Sequence, residues 1–300
     1  MVLPVDHTET RPGTPGVRRV LSVHAHPDDE SSKGAGTVRM VVDQGGEALL
    51  VTCTGGEAGE VLNEAMRRPE IEADLPAVRM DELDRATDAL GYSQVVLLGY
   101  RDSGMPDTPP NEHAEAFANQ DFDVEVGRLV GIIRTFRPQV IITYGDDQKG
   151  YPHPDHLRVH DISVPAFDRA GDAAWYPDLG EPWTPLKLYY TMWSQERMQR
   201  FHEKFEELGL ESPYGERWLE RREPETPPTT TIDVTGTYGA RKAALIAHAT
   251  QIDPDSPFWF GLPDDVAETV FPFEVYRLAQ SRVDTELPET DLFAGIEDLL

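Results

Sequence analysis

Apolar residues follow two rhythms along the first half of the chain. Val20-Leu21-Ser22-Val23, Ala48-Leu49-Leu50-Val51 and Val140-Ile141-Ile142 are short dense runs, the pattern of strands covered on both faces. Between such runs the apolar positions take helical spacing. Lys33–Gln44 carries Val38, Val41 and Val42 and stops at Gly45-Gly46. Ala77–Leu90 carries Val78, Leu83, Ala86 and Leu90 and stops at Gly91, and Asp121–Phe136 stops before Pro138. Asp155–Ala170 reads as a further helix. With strands at Arg18–Val23, Ala48–Thr52, Gln94–Leu98 and Val140–Thr143, the alternation predicts a Rossmann-like, doubly wound α/β fold. Its sheet is mostly parallel, with helices on both faces.

Beyond residue 186 the pattern loosens into a C-terminal extension. It predicts a strand at Lys187–Met192, a polar helix at Gln195–Leu208 and a proline-rich connection at Glu223–Thr230. Helices are expected at Tyr238–Thr250 and again at Glu274–Val283. The expected organisation is a disordered arm over residues 1–17, one domain over 18–285 and an acidic tail over 286–300.

Two polar clusters interrupt the rhythm, each just after a strand. His24-Ala25-His26-Pro27-Asp28-Asp29-Glu30 leaves the first, and His153-Pro154-Asp155-His156 follows the fourth. In the common strand order 3-2-1-4-5, strands 1 and 4 are neighbours at the switch point, where ligands bind beyond the carboxyl ends. Topology alone then brings both clusters to one crevice.

The residue types there fit metal-assisted hydrolysis. His26, Asp29 and His156 make a set of two imidazoles and one carboxylate that holds Zn²⁺, one per chain, or Fe²⁺, and leaves a position for water. Asp28, one residue from the ligand, can take a proton from water, and His153 can give one to a leaving amine. Spacing alone does not separate the roles of Asp28 and Asp29. His160 makes H-x-x-x-H with His156 and is a rival ligand, but without a glutamate after the first histidine the zincin pattern fails, and packing is the better reading. His248 reads equally as a helix-face residue or a substrate contact. Cys53 has no basic neighbour and reads as a buried strand residue. The loop Thr54-Gly55-Gly56-Glu57-Ala58-Gly59-Glu60 is not G-x-G-x-x-G, which argues against a dinucleotide.

A net charge of −27 without a basic stripe argues against nucleic acid or an anionic membrane as partner. A single cysteine excludes an intrachain disulfide and fits a reducing cytoplasm. No stretch approaches the ~20 apolar residues of a membrane span, and residues 1–17 have no apolar leader segment. The expectation is a soluble, cytoplasmic protein acting on a small molecule, with no oligomeric state specified. A mononuclear Fe(II) oxygenase shares the two-histidine, one-carboxylate triad, but it leaves Asp28 and His153 without a task. A catalytically silent binding module leaves both idle as well.

His-Pro-Asp-Asp-Glu with a later His-Pro-Asp-His resembles the signature pair of the LmbE-like (PIG-L) zinc deacetylases. Further stretches resemble the mycothiol S-conjugate amidases within that family: Ser31–Ala35, Gly99–Met105, Gly150–His156, Lys187–Tyr190, Ala247–Pro254 and Asp291–Gly295. The resemblance covers nearly the whole chain after residue 18. It implies metal ligands at His26, Asp29 and His156, a general base at Asp28, a general acid at His153, a carbonyl-polarising Tyr151, and Asp155 orienting a histidine. It also implies that Glu60, Arg79 and Asp102 hold sugar and inositol hydroxyls. Lys33, where related deacetylases tend to have a small polar residue, is implied to meet the conjugate. The resemblance thus implies detoxifying hydrolysis of thiol adducts, with deacetylation of N-acetylglucosaminyl-inositol or trimming of a natural-product adduct as alternatives. The loop Tyr144–Gly150 and the N-terminal arm depart from the family pattern.

Overall fold

The computed structural model describes residues 9–146, 151–215 and 227–296. Its strands are β1 (Arg19–His24), β2 (Glu47–Thr54), β3 (Gln94–Tyr100), β4 (Val140–Tyr144), β5 (Lys187–Thr191), β6 (Thr230–Asp233) and β7 (Phe273–Ser281). The helices are α1 (Asp29–Ser32), α2 (Ala35–Asp43), α3 (Pro69–Glu72), α4 (Leu75–Leu90), α5 (Phe122–Phe136), α6 (Pro154–Arg169), α7 (Gln195–Glu207), α8 (Tyr238–Ala247), α9 (Pro257–Phe260) and α10 (Asp264–Val270).

One seven-stranded sheet has the order β3-β2-β1-β4-β5-β7-β6, parallel from β3 to β5, with β7 antiparallel to both of its neighbours. The predicted order 3-2-1-4-5 is therefore present, and β1 and β4 lie side by side. Alternation along β1 explains the layers: Leu21 and Val23 join the core formed with Leu129, Val130, Val159 and Ile162 of α5 and α6, while Val20 joins Val38 and Val41 of α2 on the opposite face.

Four expectations are corrected. The helix predicted from Lys33 is split: Lys33 is extended and Gly34 adopts φ +85, a left-handed conformation suited to glycine, so α1 ends before α2 begins. Glu274–Val283 is no helix but lies largely within β7. Val275, Leu278 and Ala279 mimic helical spacing because both faces of the strand are covered, Tyr276 and Leu278 against one core and Ala279 against the other. The arm expected to be disordered is held from residue 11 onward: Arg11 N–H donates to Gln94 Oε1 at 2.7 Å, and Thr14 N–H to Glu47 Oε2 at 2.9 Å. In the expected acidic tail, Leu292, Phe293 and Ile296 are core residues. Glu289 is buried there, accepting from Lys187 Nζ at 2.5 Å, from Tyr189 Oη at 2.7 Å and from Thr230 Oγ1 at 2.9 Å. Of the proline-rich connection expected at Glu223–Thr230, residues 223–226 lie outside the described residues.

Candidate metal centre

The chain leaves β1 at His24 and β4 at Tyr144 on the same edge of the sheet, and the Tyr144 hydroxyl ties the two exits together. It accepts the Ala25 N–H at 3.0 Å and meets His24 Nδ1 at 3.1 Å. Next in the first cluster is a strained residue, Asp28, with φ 106. A non-glycine residue in that region costs about 1–3 kcal/mol and persists only where its surroundings enforce it. Here the enforcement is buried. Glu30 Oε2 accepts the Asp28 N–H at 2.9 Å, and Glu30 Oε1 is 2.7 Å from His248 Nε2. Burial alone would lower the pKa of His248, but the Glu30 carboxylate outweighs it and raises it.

The strained turn sends successive carboxylates to different neighbours. Asp29 Oδ2 lies 3.5 Å from His26 Nδ1 and 3.4 Å from His156 Nε2, so the predicted set meets at one point. Donor atoms of His26, Asp29 and His156 all lie within 4.8 Å of one another. The far nitrogen of His26, Nε2, is 3.2 Å from Asp155 Oδ2, which also accepts the Ser103 N–H at 3.0 Å. That arrangement puts a carboxylate behind His26 and turns its other nitrogen toward Asp29 and His156, the pattern found around metal-binding histidines. Burial alone would lower the pKa of His26, but Asp102, Asp155 and Asp29 raise it well above the usual value. Burial lowers that of His156. Burial would raise the Asp29 carboxyl, but Lys33 and His156 hold it well below the ordinary range, so it is an anion ready to bind a cation. These residues fit a divalent ion. A second group, His26, Asp102, His153 and Asp155, is equally close-set, and it shares His26 with the first.

The flanking residues are also in place. His153 caps α6, its Nδ1 accepting the Asp155 N–H at 3.2 Å, which assigns the neutral ring a proton on Nε2. Burial, and then the neighbouring His26, lower its pKa to about 4. Tyr151 is half exposed, its ring 5.3 Å from that of His156. Burial pushes the Asp28 carboxyl up despite the pull of Arg79, a shift toward the range of a general base.

The residues expected to meet substrate are less uniform. Glu60 is exposed, and Asp102 accepts the Gly104 N–H at 2.8 Å with an oxygen 3.7 Å from His26 Nε2. Arg79 is buried and otherwise engaged. It donates to Pro27 O and Gly56 O, both at 2.6 Å, and to Asp28 Oδ2 at 3.2 Å, so it braces Asp28 instead of standing free to meet a hydroxyl. Gly56, at φ +67, has to be glycine because a Cβ would collide with that guanidinium. The ammonium of Lys33 sits on Asp29 Oδ1 at 2.5 Å, not in open space. His248 is fully buried on Glu30, a placement that matches the structural one of its two readings. His160 turns away to Tyr144 O at 3.0 Å and packs on Tyr190, and Cys53 is fully buried, with burial raising its thiol pKa. Sequence reasoning missed Tyr144 and Glu30 as organisers of the site, although both stand at strand or cluster ends. Residues 147–150 of the divergent loop lie outside the described residues.

Comparison with known proteins agrees with this geometry. The family profile described as "PIG-L: GlcNAc-PI de-N-acetylase" matches residues 21–167, the stretch from β1 to α6 that carries both clusters. A mycothiol S-conjugate amidase of Streptomyces coelicolor is 46% identical over 289 residues, covering 93% of this chain and 98% of that protein. A 1D-myo-inositol 2-acetamido-2-deoxy-alpha-D-glucopyranoside deacetylase of Streptomyces avermitilis is 39% identical over 293 residues, covering 93% and 97%. Among solved structures, N,N'-diacetylchitobiose deacetylase from Pyrococcus horikoshii shares the fold with a TM-score of 0.60 at 17% identity, over 88% of this chain and 84% of that one. With relatives this similar along nearly their whole length, the chain belongs to the PIG-L (LmbE-like) family of metal-dependent deacetylases and amidases.

Proposed function

We propose that the chain is a zinc-dependent amidase that hydrolyses mycothiol S-conjugates in the cytoplasm, cutting the amide between glucosaminyl-inositol and an N-acylated, S-substituted cysteine. The products are glucosaminyl-inositol and a mercapturic-acid-type acid. The observation that carries the reading is the convergence of His26, Asp29 and His156 within 4.8 Å, in a chain 46% identical to a mycothiol S-conjugate amidase.

His26, Asp29 and His156 would hold the ion. When bound, a divalent ion at such a set polarises the amide carbonyl and makes water acidic near neutral pH. Asp28, raised by burial and braced by Arg79, takes the proton as water attacks the carbonyl carbon. Tyr151, half exposed at the rim, donates to the carbonyl oxygen. His153 carries its proton on Nε2 and gives it to the departing sugar amine, while Asp155 fixes the ring plane of His26. Glu60 and Asp102, after β2 and β3, hold the sugar and inositol hydroxyls. An Fe(II) oxygenase would use the same triad but has no role for the strained Asp28 or for His153 at the cap of α6.

The second reading, favoured by the 39% identical relative, is deacetylation of N-acetylglucosaminyl-inositol. Assaying the metal-loaded protein on both substrates in parallel separates the two. The amidase reading expects kcat/KM for the conjugate to exceed that for the N-acetyl sugar, and the reverse order would make the chain a deacetylase.

A further inference from the structure

Beside the histidine crevice lies an open cleft. It begins at the turn between α1 and α2, at Ser32, Lys33 and Gly34, and runs between the C-terminal end of β5, the N-terminal parts of α7 and α8, and the start of β7. Topology sets its position relative to the substrate. Glu60 and Asp102 leave β2 and β3 on one side of β1, whereas Thr191 and Val275, which line the cleft, belong to β5 and β7 on the other side of β4. An amide held between β1 and β4 with its sugar toward β2 and β3 therefore directs its acyl side into this cleft.

The lining is unusual for so acidic a chain. Arg197 and Arg241 face the cleft, and among the described residues neither forms an ion pair. Among the described residues, Arg197 Nη1 meets Phe271 O at 3.5 Å and its guanidinium lies 4.6 Å from the Phe201 ring, and that of Arg241 lies 6.0 Å from the Trp259 ring. Glu274 acts on both guanidiniums through its charge, raising their pKa against burial, but it forms an ion pair with neither. Glu274 is occupied at the start of α2, accepting from Gly36 N at 3.0 Å, Thr37 N at 2.9 Å and Thr37 Oγ1 at 2.7 Å, and Glu268 is exposed at the rim. Lys33, the third cation of the lining, is engaged with Asp29. Burial and then repulsion from Arg241 pull the pKa of Arg197 down to about 10, and burial lowers that of Arg241. An anion between the two guanidiniums relieves both effects, and planar guanidinium forks match carboxylates. Trp193, Tyr238 and Phe273 supply flat apolar walls. In a chain of net charge −27 the general field repels anions, so affinity for one has to be built locally.

We propose that this cleft is the subsite for the S-substituent and that it selects substituents bearing a carboxylate on an aromatic or apolar body, an inference that rests on the amidase reading. The test compares two conjugates that differ only in charge, S-(4-carboxybenzyl) and S-(4-carbamoylbenzyl). Wild-type kcat/KM should favour the carboxylate by about 10-fold or more, the scale of a charge-assisted hydrogen-bonded pair. Arg197→Gln and Arg241→Gln should each cut that preference to about threefold or less, while Arg241→Lys keeps part of it. The ratio is internal to each preparation, so loss of folded protein cancels. Equal rates in the wild type, or a preference untouched by both glutamine variants, would overturn the proposal. If the protein hydrolyses only the N-acetyl sugar, the amidase reading fails by itself and calorimetry with free probes decides the cleft. Tighter binding of 4-methylbenzoate than of 4-methylbenzamide, lost in Arg241→Gln, retains the anion site, and equal binding removes it.

Discussion

The five parallel strands and their connections carry every candidate ligand among the described residues, whereas the antiparallel pair β6–β7 and the segments around it carry none and yet brace the loops that present them. On the parallel side, function follows from topology: two clusters leave adjacent strands and meet. On the antiparallel side, function follows from buried polar contacts between residues remote in sequence. His248 holds Glu30, which holds the strained Asp28. Glu274 and Tyr276 hold the start of α2, and Glu289 ties the last described segment to Lys187 of β5. The two regions should therefore fail differently when cut, the first losing chemistry and the second losing stability.

The largest effect is expected at Glu289. Replacing it with alanine leaves the Lys187 ammonium buried without its partner, which costs about 3–5 kcal/mol. Denaturant unfolding measures it, and a loss below about 1 kcal/mol, the level of an ordinary hydrogen bond, would reduce this segment to a mere cover. Burial would raise the Glu289 carboxyl, but its bonds to Lys187, Thr285, Tyr189 and Thr230 outweigh that and lower it. A lowered carboxyl contributes stability above its unfolded pKa of about 4.3 and loses it as pH falls through the folded value, so the gap between wild type and Glu289→Gln should shrink on acidification. His248→Leu, which strands Glu30, should cost a similar amount. Unlike the change at Glu289, it should also slow turnover, because Glu30 secures the Asp28 backbone.

On the parallel side, Asp28→Asn keeps shape and hydrogen bonding but removes the proton acceptor. Turnover should fall about 10²-fold or more with metal content and unfolding midpoint retained. Loss of metal in that variant would show the two aspartates to have exchanged roles. A smaller, selective effect is expected of Lys33→Ser. It should weaken conjugate cleavage relative to the N-acetyl sugar by about 1–3 kcal/mol of transition-state binding, and equal losses on the two substrates would mean that Lys33 acts only by holding Asp29. The smallest effect belongs to His160→Ala, about 0.5–1.5 kcal/mol of stability from the lost contact with Tyr144, with the ion still bound.

The same division decides what could be read from the chain alone. Strands β1 to β4 announce themselves as dense apolar runs and most of their helices by apolar spacing, and strand order then places His26, Asp29 and His156 together. β6, only four residues long, and β7, covered on both faces, lack a clean alternation, so β7 passed for a helix. No local pattern joins Glu30 to His248, which lie 218 positions apart, or Glu289 to Lys187, 102 apart. The contacts of Arg79 and Lys33 were hidden for a related reason: a charge beside a cluster looks the same in sequence whether it stands free in the crevice or pairs with a neighbouring carboxylate.

Metal stoichiometry in four variants tests the central claim most directly, because two overlapping groups compete for the ion. With His26, Asp29 and His156 as the ligands, the wild type binds one divalent ion per chain, a strong chelator abolishes hydrolysis, and Zn²⁺ or Fe²⁺ restores it. Elemental analysis should then find the ion missing from Asp29→Ala and His156→Ala and retained in Asp102→Asn and His153→Ala. An ion kept without His156 and lost without Asp102 and His153 would move the centre to the other group, and full activity in metal-free protein would contradict the account altogether.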